Sequence, residues 1–391
     1  MNRRKLIVLT AAAGLTALAL APAGAASAAG QRPQAGSASP ASAGTGTVSQ
    51  GLYPSWAGRF YGVSATSAGN VWAVGLSAAG GQIAHWNGSS WSDEDFVNGY
   101  QNVDAQSPKN VWAVGGTSWF YPTQTLARHW NGKTWTQVPT PTPGGSAWFN
   151  AVAATSATNA WAVGYIGGGP GDSGVSTPII ERWNGKVWKQ QSFRLPTNPG
   201  QFMAVAATGR DNAWAVGTTG VEAPNGALIE HWNGRVWRRI PANTPYGFGN
   251  LQGVTAISPD NVWAVGYTNS SPVYLSLTLH WNGKRWSVVP SPNPTGQTDL
   301  WAVSGSSRTN VWAVGYTNPN ACGNGGPECG TAAFHWNGKR WVVTNTINPP
   351  AGYLDALTGV VAISPYDVWA VGTTDWSSTI IEHWNGKAWH D

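Results

Sequence analysis

A motif of three tryptophans recurs along this chain and constrains its fold more than any other feature. In the copy at 258–286 it reads SPDNVWAVG…LHWNGKRW. WAVG begins at Trp72, Trp112, Trp161, Trp214, Trp263, Trp312 and Trp369. Each is followed by a WNG, at Trp86, Trp130, Trp183, Trp232, Trp281, Trp336 or Trp384, and a further Trp closes each copy five residues later. Seven copies of three account for 21 of the 26 tryptophans. Every copy also carries four short strand-like segments and no helical period. Four strands per unit, repeating every 40–57 residues, is the signature of a β-propeller blade. The expected fold is all-β, a seven-bladed propeller with blades at about 58–98, 99–143, 147–196, 200–245, 249–292, 297–347 and 354–391.

The Asn-Gly of each WNG predicts a two-residue type I′ hairpin, whose central positions take positive φ. With Asn282 and Gly283 at the tip, Trp281 would face Lys284 and Leu279 would face Trp286, so the two tryptophans would sit diagonally on one sheet face. Small first-strand residues (Ala65, Ala105, Ala154, Ala207, Ala256, Gly305 and Ala362) suit the crowded axis of a ring. The constant turns fall on one face. The variable links, second to third strand and blade to blade, fall on the other, where function is expected. A repeated 17-residue interval, as from Trp286 to Val303, places Ser49 beside the C-terminal end. The ring should therefore close by apposing its ends, with the last strand covering blade one.

Residues 1–28, a basic tip (Arg3, Arg4, Lys5) followed by an apolar run ending in small residues, read as a signal peptide. A single-pass anchor is the weaker alternative, because no basic flank follows the run. The general secretory route is favoured over twin-arginine export. Residues 29–50 form a Gly/Ser/Ala/Pro leader, and residues 51–391 the propeller. The formal charge of +5 loses three units with the signal, and charged residues make up only 10%. No basic stripe is present, so neither nucleic acid nor, after signal cleavage, a membrane surface is expected as a partner. The expected product is a secreted monomer. Cys322 and Cys329, in the loop ACGNGGPECG, are expected to form a disulfide. It would stabilise by at most about 2–3 kcal/mol, because the closed loop is short. Thiol titration of the unreduced protein should find no free cysteine, and two reactive thiols would refute the pairing.

Six histidines (His85, His129, His231, His280, His335 and His383) and Arg182 share one repeat position. Third strands of separate blades are too far apart to converge on one ion, so a structural hydrogen bond within each blade is expected and no metal site. No nucleophile-elbow, zincin, Walker or dinucleotide motif is present, and neither a catalytic residue nor a cofactor is assigned.

WAVG followed by a hairpin ending G-x-x-W resembles the degenerate Asp-box propellers, whose blades read WAVG…DGGKTW. It is similar also to the secreted kelch-like propellers of actinobacteria and related bacteria. The resemblance covers about residues 58–391 and implies a seven-bladed ring. Trp and Asn stand where the Asp box has its Asp and following Gly, so sialidase chemistry is not implied.

Five tryptophans lie outside the repeat: Trp56, Trp119, Trp148, Trp301 and Trp376. The candidate ligand-binding set is Trp119, Phe120, Tyr121, Trp148 and Trp376, with Asp172 and Asp375. Aromatic faces beside Asn, Asp, Gln and Thr can stack on a sugar while the polar groups bind its hydroxyls. The expected function is a non-catalytic binding module for extracellular or cell-envelope carbohydrate. Because the loop aromatics do not repeat blade by blade, a protein–protein scaffold in a secreted assembly is the alternative. A hydrolase or lyase with carboxylates at the channel mouth is a second alternative.

Overall fold

The computed structural model describes residues 58–117, 124–141, 145–167, 176–198, 200–219, 226–244, 249–270, 273–294, 296–317, 330–347, 355–374 and 378–391. Among them, 28 strands, numbered β1 to β28 in chain order, form seven antiparallel sheets of four. In blade one these are β1 (Gly58–Ser67), β2 (Asn70–Ser77), β3 (Gly80–Trp86) and β4 (Trp91–Phe96). The other first strands are β5 (Gly99–Ser107), β9 (Ala147–Ser156), β13 (Gly200–Gly209), β17 (Asn250–Ser258), β21 (Thr298–Ser307) and β25 (Asp355–Ser364). They pack side by side in ring order, with β25 returning to β1. The seven-bladed propeller expected from the repeat is the fold observed.

One aromatic arrangement, used seven times, holds blade to blade. The WAVG Trp of each blade inserts between the WNG Trp and the closing Trp of the next. Trp214 lies 4.9 Å from Trp281 and 5.3 Å from Trp286, meeting the latter edge-on at 88°. The same trio recurs around Trp72, Trp112, Trp161, Trp263 and Trp312. The seventh, Trp369 with Trp86 and Trp91, joins blade seven to blade one. Such edge-to-face pairs add about 0.5–1.5 kcal/mol each beyond their buried area.

Closure uses no exchanged strand, since each sheet is built from one contiguous stretch of chain. The last strand does not cover blade one. Trp389 packs back on Trp312 of blade six, and the seam is made by the Trp369 trio and by the Thr358 hydroxyl, which donates to the Phe60 carbonyl at 2.6 Å. Residues 46–53, which the spacing places beside Asp391, lie outside the described residues.

The hairpin register also differs from expectation. Trp281 stands directly opposite Trp286, and Leu279 opposite Val288, so the loop has four residues, not two. The cause is the asparagine. Its Oδ1 accepts the N–H groups of Lys284 at 3.0 Å and Arg285 at 3.1 Å, an Asx cap that fixes the wider turn. Gly283 supplies the positive φ, +88°. The WNG indole N–H groups of Trp86, Trp130, Trp183, Trp232 and Trp384 donate at 3.0–3.2 Å to carbonyls in the first-to-second turns, which ties the two constant turns together.

Each histidine of the row lies 2.6–3.2 Å from the Asn or Asp that opens its second strand. Each ring also lies against its own WAVG Trp, with centroids 3.9–4.5 Å apart. Arg182 does both jobs in blade three, bonding Asn159 at 2.7 and 2.9 Å and covering Trp161 at 4.6 Å. The row is packing within blades. The small first-strand residues do not line the axis either: Ala105, Ala154, Ala256 and Ala362 pack into the tryptophan clusters between blades.

Candidate functional site: the axial cavity

Every first strand carries a β-bulge at the same place. In blade one Phe60 and Gly62 face the consecutive residues Gly75 and Val74, leaving Tyr61 as the extra residue. The extra residues of the other blades are Gln101, Asn150, Met203, Gln252, Trp301 and Thr358. The glycine of WAVG explains the constancy. A Cβ on Gly75, Gly115, Gly164, Gly217, Gly266, Gly315 or Gly372 would overlap a first-strand carbonyl, that of Arg59 for Gly75 and of Asp299 for Gly315. Only glycine lets the bulged strand come so close.

A bulge re-aims the side chain it carries. All seven extra residues line a cavity of about 950 Å³ on the axis, walled by all seven first strands. Tyr165, Tyr267 and Tyr316, near the ends of second strands, complete it. These positions adjoin the variable links, so the cavity belongs to the elaborated face. The backbone ring is regular while its side chains are not: a phenol, an indole, a thioether, a hydroxyl and three amides occupy equivalent places.

Deeper in, side chains sew neighbouring first strands together. The Ser64 hydroxyl accepts from Ala105 N–H at 3.0 Å, Asn102 from Val152 N–H at 3.1 Å, and Ser304 from Ala362 N–H at 3.0 Å. Asn150 donates to the Phe202 carbonyl at 2.7 Å. Asp104 accepts from Ala154 N–H at 2.6 Å. Burial pushes the Asp104 carboxyl up to about 6, opposed by the Ala154 and Ser64 hydrogen bonds.

The described lining holds two carboxyls, Asp104 and Asp299, and no Lys or Arg. Burial raises Asp299 to about 7, against hydrogen bonds from Trp301 and Tyr316. It also raises Tyr61 to about 12, with nearby Arg59 opposing. This is a recess of aromatic faces and amides with a weakly acidic character, suited to binding a polar ligand of irregular shape.

Of the candidate residues read from the sequence, Trp148 is in the wall. It is 8% exposed, with its ring against Gly116, where any Cβ would overlap it. Trp301, spare in the repeat, is the bulged residue of blade six. Trp56, Trp119, Phe120, Tyr121, Asp172, Asp375 and Trp376 lie outside the described residues, as do Cys322 and Cys329. The bulge ring was missed. Its signal was available: two residues before each first-strand Val, the residue type changes from blade to blade.

A solved structure described as YCF48 bound to D1 peptide is similar to this chain, with 16% identity and a TM-score of 0.52 over 83% of this chain and 93% of that one. YCF48 from Cyanidioschyzon merolae is similar too, with 15% identity and a TM-score of 0.52 over 84% and 96%. No family model matches, and neither does any curated protein. At this identity the likeness is one of fold.

Proposed function

We propose that this chain is a non-catalytic binding propeller that takes an extended segment of a protein partner into the mouth of the axial cavity. The observation that carries the reading is the bulge ring. A seven-fold frame presents seven side chains, only two of them alike, toward one recess, and such a ring suits an asymmetric ligand. The amides of Gln101 and Gln252 can pair with peptide groups, while Tyr61 and Trp301 offer faces for side chains. A propeller of the same fold that holds a peptide supports the reading by analogy. Export belongs to the proposal, with residues 1–28 as its signal and the partner outside the cell.

A neutral saccharide is the second reading, favoured by Trp148 and Trp301 standing among amides. Peptide and glycan arrays probed side by side test both. Trp301→Ala and the double variant Gln101→Ala/Gln252→Ala should each weaken peptide binding by about tenfold or more, as central contacts do, and the double variant should melt with the parent. Peptide binding that survives all three substitutions would overturn the cavity as the site. Glycan binding lost in the same variants would put the saccharide first.

A further inference from the structure

The blade-six side of the cavity is unlike the rest. Asp299 is 6% exposed, and its Oδ1 has no hydrogen-bond partner among the described residues. Hydrogen bonding from the neighbouring Trp301 and Tyr316 side chains opposes the rise that burial gives this carboxyl. Their rings meet edge-on, 5.6 Å apart at 83°, and a second edge-on pair, Tyr267 with Tyr274, stands 5.4 Å apart in blade five. Tyr267, Trp301, Tyr316 and Asp299 all line the cavity. Arg59, over the Tyr61 ring at 5.9 Å, belongs to blade one and is not in the lining.

We propose that this corner binds a primary alkylammonium group, with Asp299 as its counter-ion and the rings of Trp301, Tyr316 and Tyr267 as its wall. The inference rests on the cavity being the binding site, but not on the ligand being a peptide. Aromatic faces attract a cation electrostatically, and more strongly where water is excluded. An ammonium also gives the buried carboxylate the opposite charge that burial has denied it, consistent with the raised titration of Asp299. The free oxygen selects among cations. One unpartnered, buried acceptor suits the compact ammonium, whereas a guanidinium fork would ask for both oxygens. A calcium ion would need about six to eight oxygen ligands, and this corner has one carboxylate. Within a peptide, the group would come from a lysine side chain or from a free amino terminus.

The test uses the full chain labelled with ¹⁵N at tryptophan, in which the Trp301 indole resonance is located by its loss in Trp301→Phe. n-Pentylammonium and its neutral counterpart n-pentanol are titrated in parallel. Pentylammonium should move the Trp301 resonance saturably, while pentanol should need at least about tenfold more to move it. Asp299→Asn should abolish the difference. Tyr267→Leu, which leaves the Asp299 hydrogen bonds alone, should weaken pentylammonium by about threefold. An equal response to both compounds, no response to either, or selectivity that survives in a folded Asp299→Asn would each overturn the proposal. Two pentapeptides then assign the source: Ac-Gly-Gly-Lys-Gly-Gly-NH₂ for a side chain and Gly-Gly-Gln-Gly-Gly-NH₂ for an amino terminus. Binding of pentylammonium with neither peptide bound would keep the ammonium site and count against the peptide reading.

Discussion

Trp214→Ala is expected to lower the unfolding free energy by about 3–5 kcal/mol, the range for emptying a fully buried aromatic site. Trp214 is 0% exposed and touches both Trp281 and Trp286 of the next blade, so its removal leaves a cavity bounded by two rings from another sheet. Relaxation into that space would require one blade to move against its neighbour, and the closed ring resists this. Urea denaturation of the two proteins measures the loss. The same change at Trp86, at the exposed end of its trio, should cost clearly less, because that ring has water on one side. A Trp214→Ala protein that unfolds at the parent's midpoint would show that the trios do not hold the blades together.

The second large effect is a dependence on pH. Glu181, on β11 (Ser176–Trp183), is 1% exposed, and neither carboxylate oxygen has a hydrogen-bond partner among the described residues. Burial pushes it up to about 8 from an ordinary 4.5. Glu382, at the same repeat position in blade seven, is pushed to about 8 by burial, with Asp391 adding to the rise. Glu230, their counterpart in blade four, has Arg239 at 2.8 Å. A carboxyl whose folded value lies above its unfolded one holds its proton longer in the native state. Its contribution is whole below pH 4.5 and is lost as pH rises toward 8. For Glu181 the loss is roughly 3–5 kcal/mol, at 1.36 kcal/mol per unit. Glu181→Gln should therefore gain stability relative to the parent as pH is raised from 5 to 8.5. Five histidines whose values burial lowers pull the other way, losing stability as pH falls below 6.5. The difference between variant and parent at each pH isolates the glutamate. Parallel stability curves would contradict the assignment.

The fold was legible because the contact that joins blade to blade is written in tryptophan, a residue rare enough for its period to be read directly. The role of the histidine row followed from strand geometry alone. Two features were hidden for separate reasons. The hairpin register turned on a competition inside the Asn-Gly pair. Asn282 is an acceptor for two backbone N–H groups as well as a residue tolerant of positive φ, and capping set the width of the loop. The bulge was hidden because burial along the first strands does not alternate cleanly, as in β9 and β25, so a slip of one residue leaves no break in their pattern. Its two traces, the obligatory glycine of WAVG and the changing residue two before each first-strand Val, each fit an ordinary strand as well. The sequence places Trp148 before a first strand; it lies on β9 and is part of the cavity wall, since Gly116 opens the space for its ring in the preceding blade.

Methionine offers the most direct test of the axial cavity as the ligand site. The chain has two, Met1 and Met203, and Met203 is the bulged residue of blade four, lining the cavity. Protein labelled with ¹³C at the methionine methyl groups therefore carries one reporter in the ring. On addition of the tightest binder from the peptide and glycan arrays, the Met203 methyl resonance should shift saturably, with the same midpoint as binding measured by calorimetry. Saturated binding that leaves the Met203 methyl where it was would place the ligand elsewhere and contradict the account.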